Sequence, residues 1–269
     1  MSFRREFGVG GPSLSILSLG TMRLSEEVEG KPVAHFLCEL AERGVDTHHS
    51  SHEYDTDPLY CRALAQAKTS GAEFQHIVKL AEPSWDDLAF DGTRFQRSVD
   101  DECRRLGTEQ LAVVQWMVRT KSPTDDAVRL PLLQRDRELM AEAFDAAKRT
   151  GQVGAIALFG YTPEFTKECL ADNLVDGVTS YLNPWETDAE ALAQTVPTIA
   201  IRPFAGGRAF EKTPADNEAL SAESSGQPST IEDLIRYPFR ANATVSVLAS
   251  FSSTSHANQL IGALSEGLQ

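Results

Sequence analysis

The chain has 269 residues, of which 41% are hydrophobic, and carries 25 Lys+Arg against 39 Asp+Glu for a formal net charge of -14. That apolar content is enough to bury a large core, whereas the acidic balance disfavours nucleic acid and anionic membrane surfaces, which need a concentrated positive field. Cys38, Cys61, Cys103 and Cys169 show no CxxC pair or metal-ligand spacing, and neither a membrane-length apolar run nor a signal-like start (MSFRREFG) is present, so the expectation is a cytoplasmic chain in a reducing compartment.

Leu14 to Met22 (LSILSLGTM) reads as a first strand, and Lys31 to Arg43 as a helix with Val33, Phe36, Leu37 and Leu40 on one face. Val45 to Ser50 and then Pro58 to Lys68 repeat the alternation. His76 to Ala81 (HIVKLA) is a third strand, followed by a helix over Phe95 to Leu106. Leu111 to Val118 (LAVVQWMV) is almost wholly apolar, as a strand covered on both faces should be, and Arg137 to Arg149 supplies its helix. Val153 to Phe159, Gly177 to Leu182, Thr198 to Phe204 and Thr244 to Ser250 give strands five to eight. Helical patterns near Glu164 to Ala171, Asp188 to Gln194, Ile231 to Ala241 and His256 to Leu264 alternate with them.

Eight strand-helix units in this length predict a (β/α)8 TIM barrel of the α/β class, read as one domain over residues 1–269. A doubly wound sheet would carry its Gly-rich fingerprint after the first strand. GVGGPS near Gly8 precedes that strand and reads as a hairpin turn or N-terminal loop. Residues 208–230 form a long loop after strand seven, placed to cover the barrel mouth or to be a disordered insertion.

Barrel active sites lie at strand C-termini. The polar residues there are His48, His49, His52, Glu53 and Tyr54 after strand two, Lys79 in strand three, and Gln115 to Met117 in strand four. Tyr161, Tyr181, Asn183, Arg202, Ser252, Ser253 and His256 follow the later strands. His48 and His49 are adjacent in a strand and point to opposite faces, so no metal site is expected from the three imidazoles. Trp85, Trp116 and Trp185 fall near strand ends, as an aromatic lining or as ordinary packing.

The runs LSLGTMRL, GVDTHHSSHEYD, HIVKLAE, LAVVQWMV, GQVGAIALFGYT and IRPFAGGRA resemble, in order and spacing, the aldo-keto reductase family over nearly the whole chain. The resemblance implies reduction of a small-molecule carbonyl by a nicotinamide cofactor, NADP or NAD, bound across the barrel mouth. In that family a Tyr donates the proton, a Lys lowers its pKa, an Asp partners the Lys and a His orients the carbonyl. The matching positions hold Tyr54 and Lys79, but His49 stands where the Asp would be and Met117 where the His would be. The resemblance also places Arg202, Phe204, Gly206, Ser252 and Ser253 along the cofactor and Trp85 and Met117 in the substrate pocket.

Each departure has a physical cost. Without a carboxylate neighbour a Lys in a barrel mouth is pushed toward its neutral form, and a thioether cannot donate a hydrogen bond to a carbonyl. A neutral His49 accepts from the Lys79 ammonium and a protonated one repels it, so activity is expected to fall through the imidazole pH range. The nicotinamide-clamping positions after strands five and six are Phe159, Gly160 and Val178, and no Lys or Arg follows Ala241 to offer a 2'-phosphate contact. Two readings result: a divergent NAD(P)H-dependent carbonyl reductase with Tyr54 as proton donor, or a catalytically degenerate barrel, a pseudoenzyme that binds a ligand or partner.

Overall fold

A computed structural model describes residues 3–85, 87–171, 173–210 and 230–267. The chain opens with an antiparallel hairpin, β1 (Arg4–Glu6) against β2 (Ser13–Ser15), and GVGGP is its turn. The expected first strand is therefore two pieces. Ser13–Ser15 belongs to the hairpin, and only β3 (Leu17–Gly20) enters the barrel. A second small hairpin, β4 (Glu27–Val28) with β5 (Lys31–Pro32), leads into α1 (Val33–Glu42).

From there strands and helices alternate: β6 (Thr47–Ser50), α2 (Asp57–Thr69), β7 (Gln75–Ser84), α3 (Gly92–Leu106), β8 (Leu111–Arg119), α4 (Asp126–Arg149), β9 (Val153–Leu158), α5 (Pro163–Ala171), β10 (Gly177–Tyr181) and β11 (Thr198–Ile201). A short α6 (Ile231–Arg236), β12 (Thr244–Ala249) and α7 (Thr254–Gly267) follow. After β10 the described chain has only the short 3-10 turn Leu192–Gln194 where a full helix was expected. Residues 211–229, most of the expected loop over the mouth, lie outside the described residues.

The eight parallel strands close in the order β10-β11-β12-β3-β6-β7-β8-β9, which is a (β/α)8 barrel. Period-two alternation divides the strand residues between two apolar cores. Outward residues such as Leu19, Val78, Val114, Trp116, Ile156 and Val247 pack under the helices with Phe36, Phe95 and Phe144. Inward residues Ile77, Val113, Ala155, Ala157, Ile199 and Val245 form a smaller core with Phe7 and Leu14 of the hairpin. The hairpin thus closes the N-terminal end of the barrel. A Cβ on Gly177 would lie 2.4 Å from Pro197 O and 2.5 Å from Phe7 Cζ, so only glycine lets the plug seat.

Helix ends follow the local chemistry. Asp91 caps α3 by accepting from Thr93 N at 2.8 Å and Arg94 N at 3.1 Å, Thr230 accepts from Asp233 N for α6, and Ser253 accepts from His256 N at the start of α7. No helix among the described residues is long and apolar enough to cross a membrane.

Candidate active site

At the opposite end of the barrel the inward strand positions turn polar: His49 on β6, Lys79 on β7, Gln115 and Met117 on β8, and Tyr181 on β10. His49 Nε2 pairs with Gln115 Oε1 at 3.0 Å, and its ring lies 6.1 Å from that of Tyr54. Burial pushes the His49 imidazole down to about 4, against the hydrogen bond that His49 Nε2 donates to Gln115 Oε1 and with the nearby Lys79 charge. His49 is therefore neutral across the ordinary imidazole range, which corrects the expectation that it titrates there.

Lys79 does have a carboxylate partner, contrary to the sequence reading. Its Nζ sits 2.8 Å from Glu53 Oε2, and Glu53 comes from the loop after β6, one residue before Tyr54. Arg119, the last residue of β8, holds the same carboxylate with both terminal nitrogens, Nη1 to Oε1 and Nη2 to Oε2 at 2.9 Å. The Arg119 hydrogen bonds, then Lys79, hold the Glu53 carboxyl down at about 2 despite partial burial. Arg119 reaches further, with Nη2 3.5 Å from Met117 Sδ and its guanidinium 5.1 Å from the Trp85 ring centroid. Tyr161 Oη also approaches Met117 Sδ at 3.5 Å.

Tyr54 lies against this cluster, with Lys79 Nζ 5.3 Å from its ring centroid. Burial first, and the Glu53 charge second, push its phenol up to about 12, while Arg119 pulls the other way. The phenol keeps its proton at neutral pH.

The remaining expected residues are spread around the rim. His48 points out of the barrel, between Tyr60 at 3.1 Å and the Phe74 ring, and His52 pairs with Glu102 at 2.7 Å, so the three imidazoles face three directions. Trp85 is 54% exposed at the rim, while Met117 is buried. Trp116 belongs to the outer core, donating to Glu82 O at 2.7 Å and packing on Phe144, and so is no part of an aromatic lining. Arg202 pairs with Glu186 at 3.2 Å and covers the Tyr181 ring at 4.7 Å. Phe204 is half-buried and Gly206 exposed beside Arg202. Ser252 is exposed, and Ser253 is the α7 cap.

The fit to a nicotinamide dinucleotide is uneven. Phe159 fills the strand-five position with a ring packed on Tyr161 and Tyr181. A side chain at Gly160 would meet Thr166 Oγ1 at 2.0 Å, so an amide there would require Thr166 to shift. Val178 packs in the outer core, which corrects its expected place beside the cofactor; Thr179 and Tyr181 are the inward residues of β10. The Ser253-capped start of α7 remains suited to a phosphate, whereas the Tyr181 ring is covered by Arg202 and packed by Phe159. A cavity of about 870 Å³ opens beside Tyr161, Tyr181, Trp185 and Glu186, where the helix after β10 is reduced to a turn. A groove of about 970 Å³ between α3 and α4 lies on the barrel's outside, away from the strand ends.

No family model and no curated protein matches the sequence. Solved structures do match in fold. An aldo-keto reductase from Bacillus halodurans in its holo form superposes with a TM-score of 0.73 at 17% identity, covering 98% of this chain and 91% of that one. An aldo-keto reductase from Brucella melitensis gives 0.64 at 15% identity over 97% and 91%, and one from Klebsiella pneumoniae, in complex with NADP and acetate, gives 0.65 at 14% over 97% and 90%. This chain thus shares the (β/α)8 fold of these aldo-keto reductases over 97–98% of its length.

Proposed function

We propose that this protein is an oxidoreductase that reduces an aldehyde or ketone with NADPH or NADH, using Tyr54 as the proton donor. The observation that carries the reading is the Lys79–Glu53 pair beside Tyr54 at the C-terminal face of the barrel. It supplies the cation and the carboxylate that carbonyl reduction needs next to a phenol.

When bound, the nicotinamide cofactor supplies a hydride to the carbonyl carbon and leaves oxidised. As the C=O π bond breaks and negative charge gathers on oxygen, Tyr54 gives that oxygen its phenolic proton. A phenol pushed up to about 12 is fully protonated at neutral pH and still acidic enough to protonate an alkoxide. Lys79 and Arg119 then stabilise the phenolate left behind, and Glu53 fixes both cations in place. His49, neutral and tied to Gln115, adds no charge to oppose Lys79. Ser252 with the start of α7 would hold a phosphate of the cofactor.

Titration of the protein with NADPH and NADH, followed by cofactor fluorescence, tests the reading. Saturable binding of at least one is expected; no binding of either at millimolar concentration would sink the reductase and favour a barrel that only binds a ligand or partner.

A further inference from the structure

We propose that Arg119 makes the site selective for carbonyl compounds that carry a carboxylate next to the reacting carbon, the chemistry of a 2-oxo acid. The fate of the carbonyl rests on the reductase reading above, but recognition of the carboxylate does not.

Two cations, Lys79 and Arg119, share the single carboxylate of Glu53. Among the described residues this cluster therefore holds one positive charge in excess, in a chain whose net charge is -14. The charges that act on Tyr54, His49 and Glu53 come from Lys79, Arg119 and Glu53, and Arg119 is held by Glu53 first and by Tyr161 as well. Next to it, Glu186 is taken by Arg202 and Asp126 by Arg129. An uncompensated positive charge in a partly buried site is costly until an anion neutralises it.

Both cations keep donors in reserve. An ammonium has three N–H groups and Lys79 gives one to Glu53; a guanidinium has five, set in a fork that matches a carboxylate. Because both cations touch one carboxylate, with Lys79 Nζ and Arg119 Nη2 on the same Oε2, their donors lie side by side where a second carboxylate can reach both. Tyr54 lies next to Lys79, so an acid group held there leaves its carbonyl only a bond or two away. Trp85, over the Arg119 guanidinium, and Tyr161 flank the position with aromatic surface for the rest of the substrate.

The sequence hid this device because the strand was expected to end at Val118. Gln115, Met117 and Arg119 alternate onto the same inward face, so the donor missing at Met117 is replaced by a cation two residues on.

Calorimetric titration with phenylglyoxylate and with phenylglyoxylamide, its uncharged counterpart, tests the proposal, run without cofactor and with millimolar oxidised cofactor, NADP+, which has no hydride to give. The carboxylate should bind about tenfold or more tightly than the amide, and Arg119→Gln should bring the two within about twofold. Arg119→Lys, which keeps the charge, should retain part of the preference, and serves if the Gln variant does not fold. Equal binding of the two compounds, no binding of either, or a preference that survives Arg119→Gln would overturn the proposal. Because binding is read without turnover, a protein that selects the carboxylate but never reduces it would refute the reductase reading alone.

Discussion

The two ends of the barrel are built on opposite rules. At the N-terminal end, left-handed backbone falls on glycine where α1 to α4 turn into the next strands, at Gly44, Gly71, Gly107 and Gly151, with Asn173 after α5 the exception, and the interior is apolar under the Phe7 plug. At the C-terminal end the same backbone region is occupied by Trp85, Tyr161, Arg202 and Ala205. An L side chain in that region costs about 1–2 kcal/mol, a strain that persists only where surrounding contacts hold it. Three of those four side chains face the polar cluster or the Tyr181 ring. One end is arranged for stability; the other accepts strain to aim side chains at a shared point.

Substitutions should separate the two ends. Phe7→Ala empties the plug and should cost about 3–5 kcal/mol, read as a lower denaturation midpoint, with carbonyl reduction per folded molecule unchanged. An equal loss of turnover in the folded protein would show that the ends are not independent. Glu53→Gln should do the reverse, lowering turnover about 10-fold to 100-fold with a small change in melting temperature, because the carboxylate is partly exposed and its role is to seat two cations.

A further effect comes from acid. Burial depresses the His48 imidazole to about 3, that of His49 to about 4, and that of His76 well below its ordinary value. Each takes up a proton on unfolding once the pH drops below about 6.5, so acid favours the unfolded chain and stability rises with pH from about 4 to 6.5. The slope should be about 1 kcal/mol per pH unit for each histidine and about 3 for the three together, measured as denaturation midpoints at pH 5 and 7. Turnover at 25 °C should stay flat between pH 8 and 5, since His49 remains neutral there. A bell centred on the imidazole range would contradict the His49 assignment.

Much of the fold was legible because a parallel barrel leaves a strong mark: each strand is buried on both faces, so LAVVQWMV stands out against polar helices. The hairpin was harder to read, since LSILSLG is one continuous β-rich run and its division at Ile16 depends on pairing with distant Arg4 to Glu6. In the site, Tyr54 and Lys79 were readable from position. Glu53 was seen but left without its role, because it acts from a loop whose geometry has no sequence period. Val178 was misplaced for the opposite reason: its strand has a clear alternation, and that alternation sends it outward.

The account depends most directly on Tyr54 as the acid that serves a Lys79–Glu53 pair. Single-turnover reduction of an aldehyde by wild type and by Tyr54→Phe, each saturated with whichever cofactor binds, measures that step alone. The account predicts that the variant binds cofactor as wild type does and loses reduction by about 100-fold or more. A rate within a few-fold of wild type would contradict it.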